Sequence, residues 1–297
     1  HLSIRRQRQM CIRDRPYRPL APNYDRKGGH VPQVIIGMMD RDGLGSEGAP
    51  GYSCWGLSFL AGAELLRTYT KYDRHDFFRD FPKFKQSFMA PIRWCCLDEV
   101  TPSIGDSGVL SGWGCVGRSA HAFQVAFKVY GDPVFARHLY WEVGKNLECI
   151  HDSIYDADPF AIRRKVKKMV DGDKPPLESG YLDGFGLAIL QAPQRERGRA
   201  VWLYFGRNIG HGHTDRLNLG LYAENIDMLP DMGYPEYASG RPRDLAWTRN
   251  CASHNVAIVG DENQSRSYTG HFLAFEPEGM VRFMTVSSDD AYSQSKT

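Results

Sequence analysis

The sequence contains no run of eighteen apolar residues, so a helix long enough to cross a bilayer is excluded. It has no Cys-x-x-Cys pair. Its seven cysteines (Cys11, Cys54, Cys95, Cys96, Cys115, Cys149, Cys251) are odd in number and scattered. That pattern does not describe a disulfide framework, and free, mostly buried thiols are expected. No internal repeat and no low-complexity segment is present, which excludes solenoids and arrays. Charge of one sign is also missing. The formal net charge is +2, and residues 1–15 supply five Arg against Asp14, a net of +4, leaving −2 for the rest. A nearly neutral body gives no warrant for nucleic-acid binding.

What is present suffices for two domains, with 297 residues and 42% hydrophobic content. Residues 1–15 lack the apolar stretch of a signal peptide. Met10-Cys11-Ile12-Arg13-Asp14 reads like the translation of an adapter used for sequencing libraries. Residues 1–15 are therefore expected to be an assembly artefact, and the chain a fragment that has lost its true beginning. Its end, 291–297, reads as an arbitrary stop within a β-rich region.

Between 55 and 147 the apolar residues recur at helical spacing. Trp55, Phe59, Ala63, Leu66 and Tyr69 mark one helix. Asp76–Met89 gives a second, stopped before Pro91. Ser119 caps a third that ends at Gly131-Asp132-Pro133, and Pro133–Leu147 makes a fourth. The Gly- and Ser-rich loop from Thr101 to Gly114 holds Asp106, which either lines a cleft or merely connects helices; connection is the expected role. Arg163-Arg164-Lys165-Val166-Lys167-Lys168 reads as a solvated helix face. The Gly/Pro/Asp stretch 171–176 is the expected domain boundary, with a helical domain over 16–176 and a β domain over 177–297. After Gly180 the period shortens. Leu187–Leu190, Ala200–Phe205, Asp227–Leu229, Asn255–Val259 and Met280–Val286 read as short strands of an antiparallel sandwich.

The most informative segment is Gly210-His211-Gly212-His213-Thr214-Asp215-Arg216-Leu217-Asn218-Leu219-Gly220-Leu221-Tyr222. Its alternation predicts a half-buried strand with His211, His213 and Asp215 on one face, followed by Leu217, Leu219 and Leu221. Neutral imidazole is both a common metal ligand and a common general base. Asp231, after the short apolar run 228–230, and His254, opening a strand-like run, complete a set of two His and one Asp that leaves a fourth position open on tetrahedral zinc. Taken singly, Asp231 and His254 read equally well as polar residues at turn edges.

Three of these segments carry a resemblance. His211–Leu219, Leu229-Pro230-Asp231-Met232-Gly233-Tyr234 and Ser253-His254-Asn255-Val256 resemble, in order and approximate spacing, the heparinase II/III family of polysaccharide lyases. Upstream, Asp40-Arg41-Asp42-Gly43-Leu44-Gly45-Ser46-Glu47-Gly48-Ala49-Pro50-Gly51-Tyr52 resembles the family's Gly-rich Glu…Tyr segment. The resemblance runs from about Asp40 to Phe275. It implies an α+β chain: an incomplete (α/α) toroid followed by an antiparallel β-sandwich. It also implies cleavage of a uronic-acid-containing polysaccharide by β-elimination, in a periplasmic or secreted setting. Tyr52 would then be the catalytic tyrosine, and His211 the base or the neutraliser of the substrate carboxylate. His213, Asp231 and His254 would hold a mainly structural zinc. Tyr234 and Tyr237 either touch sugar or pack. Glu47 orients substrate or Tyr52, or is a plain loop carboxylate. Arg216 and Arg249 either pair with uronate or sulfate or lie on the surface.

One departure stands out. The family places an Asn-His or comparable pair, which grips the uronate carboxylate, upstream of the tyrosine segment. Here only Asn23 and His30 are available between Pro16 and Met39, and neither has a matching context. A zinc-dependent hydrolase and a non-catalytic polysaccharide-binding fragment are the competing readings. Heparan sulfate, hyaluronan-like glycosaminoglycans and alginate all remain open as the anionic partner.

Overall fold

Why the chain up to Met169 is helical follows from its caps and its apolar spacing. The computed structural model describes residues 31–69, 76–107, 114–170, 174, 176–234, 240–267 and 270–293. Residues 1–15, Asn23, His30, Tyr237 and most of the expected boundary 171–176 lie outside the described residues. The first helices are α1 (Val31–Gly37), the single turns α2 (Pro50–Ser53) and α3 (Trp55–Ser58), then α4 (Leu60–Tyr69). The helix expected from Trp55 to Tyr69 is thus broken at Phe59, whose N–H turns back to the Gly56 carbonyl.

Asp76 caps α5 (Phe77–Asp80) by accepting from the N–H of Phe78 and Arg79, and Pro82 opens α6 (Pro82–Arg93). Against expectation, α6 runs through Pro91. Pro91 removes one ladder bond, to the Ser87 carbonyl, and the helix ends two residues later at Arg93. Ser119 caps α7 (Ala120–Tyr130) through the Ala122 N–H, and left-handed Gly131 ends it. Asp132 caps α8 (Pro133–Glu142), which stops five residues short of Leu147 where Gly144 and Lys145 turn left-handed. Short α9 (Ala161–Met169) carries the basic run. Phe84, Phe88, Phe123, Phe127 and Phe135 fill the core among these helices. Each such side chain contributes about 1.5–3 kcal/mol on burial.

The β region is a five-stranded antiparallel meander in sequence order: β1 (Gly180–Leu182), β2 (Leu187–Gln191), β3 (Arg199–Tyr204), β4 (Asn218–Ala223) and β5 (Ile226–Asp227). After α10 (Pro242–Thr248), a separate hairpin follows, β6 (His271–Glu276) with β7 (Phe283–Ser287). β2 is buried along its whole length, and β7 packs against it. Asn255–Val259 forms no strand, contrary to expectation; the Asn255 carbonyl takes only the Leu219 N–H.

The inner face of the meander shares one core with the helical half. Leu182, Leu187, Ile189, Trp202 and Tyr222 pack with Leu44, Ala90, Trp94 and Ile104. Asp98 adds a polar tie between the halves, accepting from Arg195 at 2.7 Å and Arg118 at 3.3 Å, with Lys174 at 3.3 Å. Two expectations fail here. Cys95 and Cys115 form a disulfide across 5.9 Å of Cα separation rather than standing free. β4 also starts only at Asn218, because Leu217 is left-handed (φ 63°) and breaks the alternation. Asn218, Gly220 and Tyr222 therefore point inward, and Leu219 and Leu221 point outward, 38% and 37% exposed. Trp202 occupies the space over Gly220, where a Cβ would lie 2.0 Å from its ring.

One carboxyl in this frame generates a prediction. Burial raises Asp40 to about 6, although the Leu44 N–H bond opposes the shift. A folded-state value above the unfolded one means the native state binds the proton more tightly. Stability then falls as pH rises from about 4 to about 6. Asn keeps the acceptor for the Asp42 and Leu44 N–H groups and mimics the neutral acid. Asp40→Asn is expected to be more stable than the parent at about pH 8, by at most about 3 kcal/mol, and near parity at about pH 4. Urea melts at the two pH values check this, and a variant destabilised equally at both would count against it.

Candidate active site

Two loops from opposite ends of the sequence are knitted together before any functional side chain is placed. The Glu47 carbonyl accepts the His211 N–H at 2.8 Å. The buried Tyr204 hydroxyl donates to the carbonyls of Arg207 (2.7 Å) and Gly48 (3.2 Å). Gly48 is left-handed, and a Cβ there would lie 2.7 Å from the Arg207 and Ile209 carbonyl oxygens, so glycine is required for the close approach. The single turn α2 leaves this seam and carries Tyr52. As a result the Tyr52 and His211 rings stack, with centroids 3.5 Å apart and planes 8° from parallel.

A third segment binds both loops. The Asp106 carboxylate accepts from His211 Nδ1 through Oδ2 and from His213 Nε2 through Oδ1, each at 2.8 Å. The Asp106 N–H donates to the His211 carbonyl at 2.8 Å, and the Gly105 N–H to Asp215 Oδ2 at 3.0 Å. Next in sequence, Ser107 Oγ accepts the Gly51 N–H at 2.8 Å, which ties the tyrosine turn to the same strip. The expected role of this loop as a mere connector is overturned. Burial alone would raise Asp106, but the two imidazole N–H bonds outweigh it and bring the carboxyl down to about 2.

Behind His211 lies a dry polar cluster. Donor atoms of His213, Asp215 and His254 lie within 4.8 Å of one another, all three residues buried. Asp231 joins through His254, its Oδ2 2.7 Å from His254 Nδ1. The Asn218 amide donates to the same oxygen at 2.6 Å, and the Gly233 N–H to Oδ1 at 2.9 Å. His254 Nε2 faces the Thr248 carbonyl at 2.9 Å, and a carbonyl only accepts. In a neutral ring Nδ1 would then present a lone pair to a carboxylate, so that contact calls for a proton or another cation. Burial lowers the affinity of His254 for a proton; Asp231, Asp215 and the Thr248 carbonyl outweigh burial and raise it. Asp215 is raised, chiefly by burial.

The cluster passes a test for a cation. His213 Nδ1 and Asp215 Oδ1 are buried without a hydrogen-bond partner. Each such orphan costs about 1–3 kcal/mol unless something fills the gap. Both histidines have Nε2 held by an acceptor, Asp106 or the Thr248 carbonyl, which leaves His254 Nδ1 against Asp231 and His213 Nδ1 buried without a partner. That is the outer-shell arrangement that prepares imidazole for a metal.

The expected residues fall as follows. Tyr52 and His211 come together with their rings stacked. His213, Asp231 and His254 lie in one cluster, with Asp215 as an additional member beside His213. His211, His213 and Asp215 stand on an irregular segment before β4, not on the expected strand. Glu47 lies on the seam and Tyr234 is half-buried two residues beyond Met232. Arg216 is neither at the surface nor available to substrate: it is buried, with Nε on the Gly206 carbonyl and its guanidinium on Asp290. Arg249 is half exposed, 3.9 Å from Asp106 Oδ2. Sequence reasoning singled out Asp106 but preferred the connecting role for its loop, and it missed Asn218 and the ligand potential of Asp215. Of the two missed, only Asp215, two residues from His213, carried a signal. A cleft of about 380 Å³ beside Asp40, Lys83 and Arg207 contains neither Tyr52 nor His211.

Residues 185–294 match the family model described as Heparinase II/III-like, C-terminal. The segments 211–219, 229–234 and 253–256 fall inside that span, and 40–52 outside it. A search of curated proteins finds no match. Among solved structures, a heparinase III gene product aligns with a TM-score of 0.58 at 13% identity, over 88% of this chain and 36% of its own. A crystal structure of heparinase III gives 0.59 at 16% identity, over 87% and 38%. The heparan sulfate lyase HepC from Pedobacter heparinus gives 0.53 at 16% identity, over 88% and 36%. These likenesses are of fold. The chain spans a little over a third of the length of each.

Gly105 offers a test of the strip that holds the site. It is left-handed (φ 56°), and a Cβ would lie 2.4 Å from the His211 carbonyl oxygen. Gly105→Ala is expected to lower stability by about 2–4 kcal/mol, since neither the backbone conformation nor the neighbour accommodates the methyl. Thermal melting checks this, and a loss under about 0.5 kcal/mol would refute the close packing drawn for this strip.

Proposed function

We propose that this chain, with its heparinase II/III-like C-terminal region, is part of a polysaccharide lyase that cleaves a uronic-acid-containing polysaccharide by β-elimination. The observation that carries the reading is the stacked pair of Tyr52 and His211, held at one site by residues far apart in sequence. In such a reaction a base takes the C5 proton beside the uronate carboxylate, an acid protonates the departing O4, and a 4,5-unsaturated sugar results. Tyr52 suits the proton delivery to O4. His211 suits the C5 proton or the charge that develops on the carboxylate. Arg249, half exposed beside Asp106, supports neutralisation of that charge. Glu47, Tyr234 and Tyr237 are proposed as substrate contacts: Glu47 because its carbonyl holds the His211 N–H, and the two tyrosines from the sequence resemblance alone.

The polar cluster supports a zinc site. His213, Asp231 and His254 would hold the ion as first expected, and Asp215 would join them. When bound, the ion supplies structural cross-linking and compensates the buried carboxylates. The His213, His254 and Asp231 side chains are fully buried. A hydrolytic zinc needs an open position that substrate water can reach, so this burial disfavours the hydrolase alternative. In the same reading, residues 16–176 belong to an (α/α) toroid and 177–297 to an antiparallel β-sandwich. The anionic partner is a glycosaminoglycan such as heparan sulfate, or alginate. The Cys95–Cys115 disulfide supports a periplasmic or secreted setting. Among the described residues no helix is long and apolar enough to cross a membrane.

Incubation with a panel of uronate polysaccharides, read as new ultraviolet absorbance of unsaturated product, tests the activity. Tyr52→Phe is expected to lower the rate by at least about a hundredfold, with bound zinc unchanged. A fully active Tyr52→Phe enzyme would remove the proposed mechanism.

A further inference from the structure

Resting on the lyase and zinc reading above, we propose that Asp106 is a positioning residue that couples the metal cluster to the proton-transfer pair, one carboxylate fixing the protons of both His211 and His213. The two oxygens are shared between the rings, Oδ2 to His211 Nδ1 and Oδ1 to His213 Nε2, both at 2.8 Å, with Arg249 the further cation, 3.9 Å from Oδ2. A carboxylate only accepts, so both ring nitrogens that face it are N–H donors. For His213 this leaves Nδ1 as the bare nitrogen, and Nδ1 is the atom found buried and unpartnered in the cluster with Asp215 and His254. For His211 it leaves Nε2 as the bare nitrogen, on the ring stacked against Tyr52. The proton distribution that makes His213 a ligand is thus set by the same group that makes His211 a proton acceptor.

The side chain is held for this task. It is only 4% exposed. Its own N–H is spent on the His211 carbonyl, and the neighbouring Gly105 N–H on Asp215. The carboxylate therefore cannot swing to one histidine without losing the other. A cation on His213 Nδ1 polarises the ring and strengthens its Nε2–H bond to Oδ1. Oδ2 then becomes a weaker acceptor for His211. His211 should sense the ion although it is no ligand, and by linkage a change at His211 should alter affinity for the ion.

The experiment uses the chain carrying ¹⁵N-labelled histidine at constant pH, titrated with zinc alone, with His211 assigned from His211→Gln. Long-range ¹H–¹⁵N spectra report which nitrogen of each ring bears the proton. The parent is expected to show His211 protonated at Nδ1, with its resonances moving as zinc is added. Asp106→Asn has the same shape, but its amide offers one acceptor and one donor, so it satisfies only one ring as drawn. That variant is expected to bind zinc at least about tenfold more weakly in competition with a chromogenic chelator. It should also show a His211 proton pattern that no longer responds to zinc. Should Asp106→Asn fail to fold by circular dichroism, the response of the parent His211 to zinc decides alone. Zinc binding without movement at His211, or an Asp106→Asn variant within about twofold of the parent in zinc affinity, would overturn the coupling. Failure of the lyase reading alone looks different: no unsaturated product from any uronate polymer, with the zinc response of His211 intact. A parent that binds no zinc removes the metal reading and the coupling together.

Discussion

A single carboxylate shared between two imidazoles organises this molecule. Asp106 is nearly closed off from solvent, and in a low-dielectric setting an uncompensated charge there would be costly. The compensation comes from His211 and His213, with Arg249 at 3.9 Å, and the two histidines stand on a segment that approaches neighbouring backbone closely at Gly48, Gly105 and Gly210. Loops from both halves converge on the same point. The shared core of Trp94, Ile104, Trp202 and Tyr222 holds those halves together, so hydrophobic packing and the polar site depend on one another.

Much of this was legible in the residues. The helix capped at Ser119, the start of the next at Pro133, and the strands expected at 187–190 and 200–205 follow from local propensity and period, and the structure places them within a residue of those positions. The pairing of Tyr52 with His211 was also legible, through the order of motifs rather than through spacing. What failed did so for physical reasons. Alternation around β4 suggested that the leucines face inward, but one left-handed residue at Leu217 inverts the faces, and Trp202 fills the space over Gly220. Asp106 sits in a Gly- and Ser-rich loop with no periodic neighbours, so nothing local distinguishes a bridging carboxylate from a linker residue. The Cys95–Cys115 bond was hidden by the odd number and scattered placement of the cysteines, which do not describe a framework.

Burial is unevenly distributed within the site. Asp106, Asp215 and Asp231 surround three imidazoles, and only His211 keeps partial contact with solvent, its side chain 24% exposed. Groups that would hold an ion lie in the dry interior, where lone pairs cannot be satisfied by water. The group suited to exchange protons with a substrate lies at the opening, beside a phenol. Placing the two functions on one short segment lets a single backbone path position both, and it explains why His211 and His213 differ so sharply in burial despite their separation of two residues.

The inverted β4 has a practical meaning for anyone handling this polypeptide. Leu219 and Leu221 are joined by Ile226 and Met228, at 58% and 53% exposure, to form an oily edge on the meander. In water such a surface favours self-association. Detergent sensitivity, loss on filters and concentration-dependent scattering would be the everyday signs of that stickiness, and charged replacements at Leu219 and Leu221 offer a route to better behaviour that leaves the histidine cluster untouched.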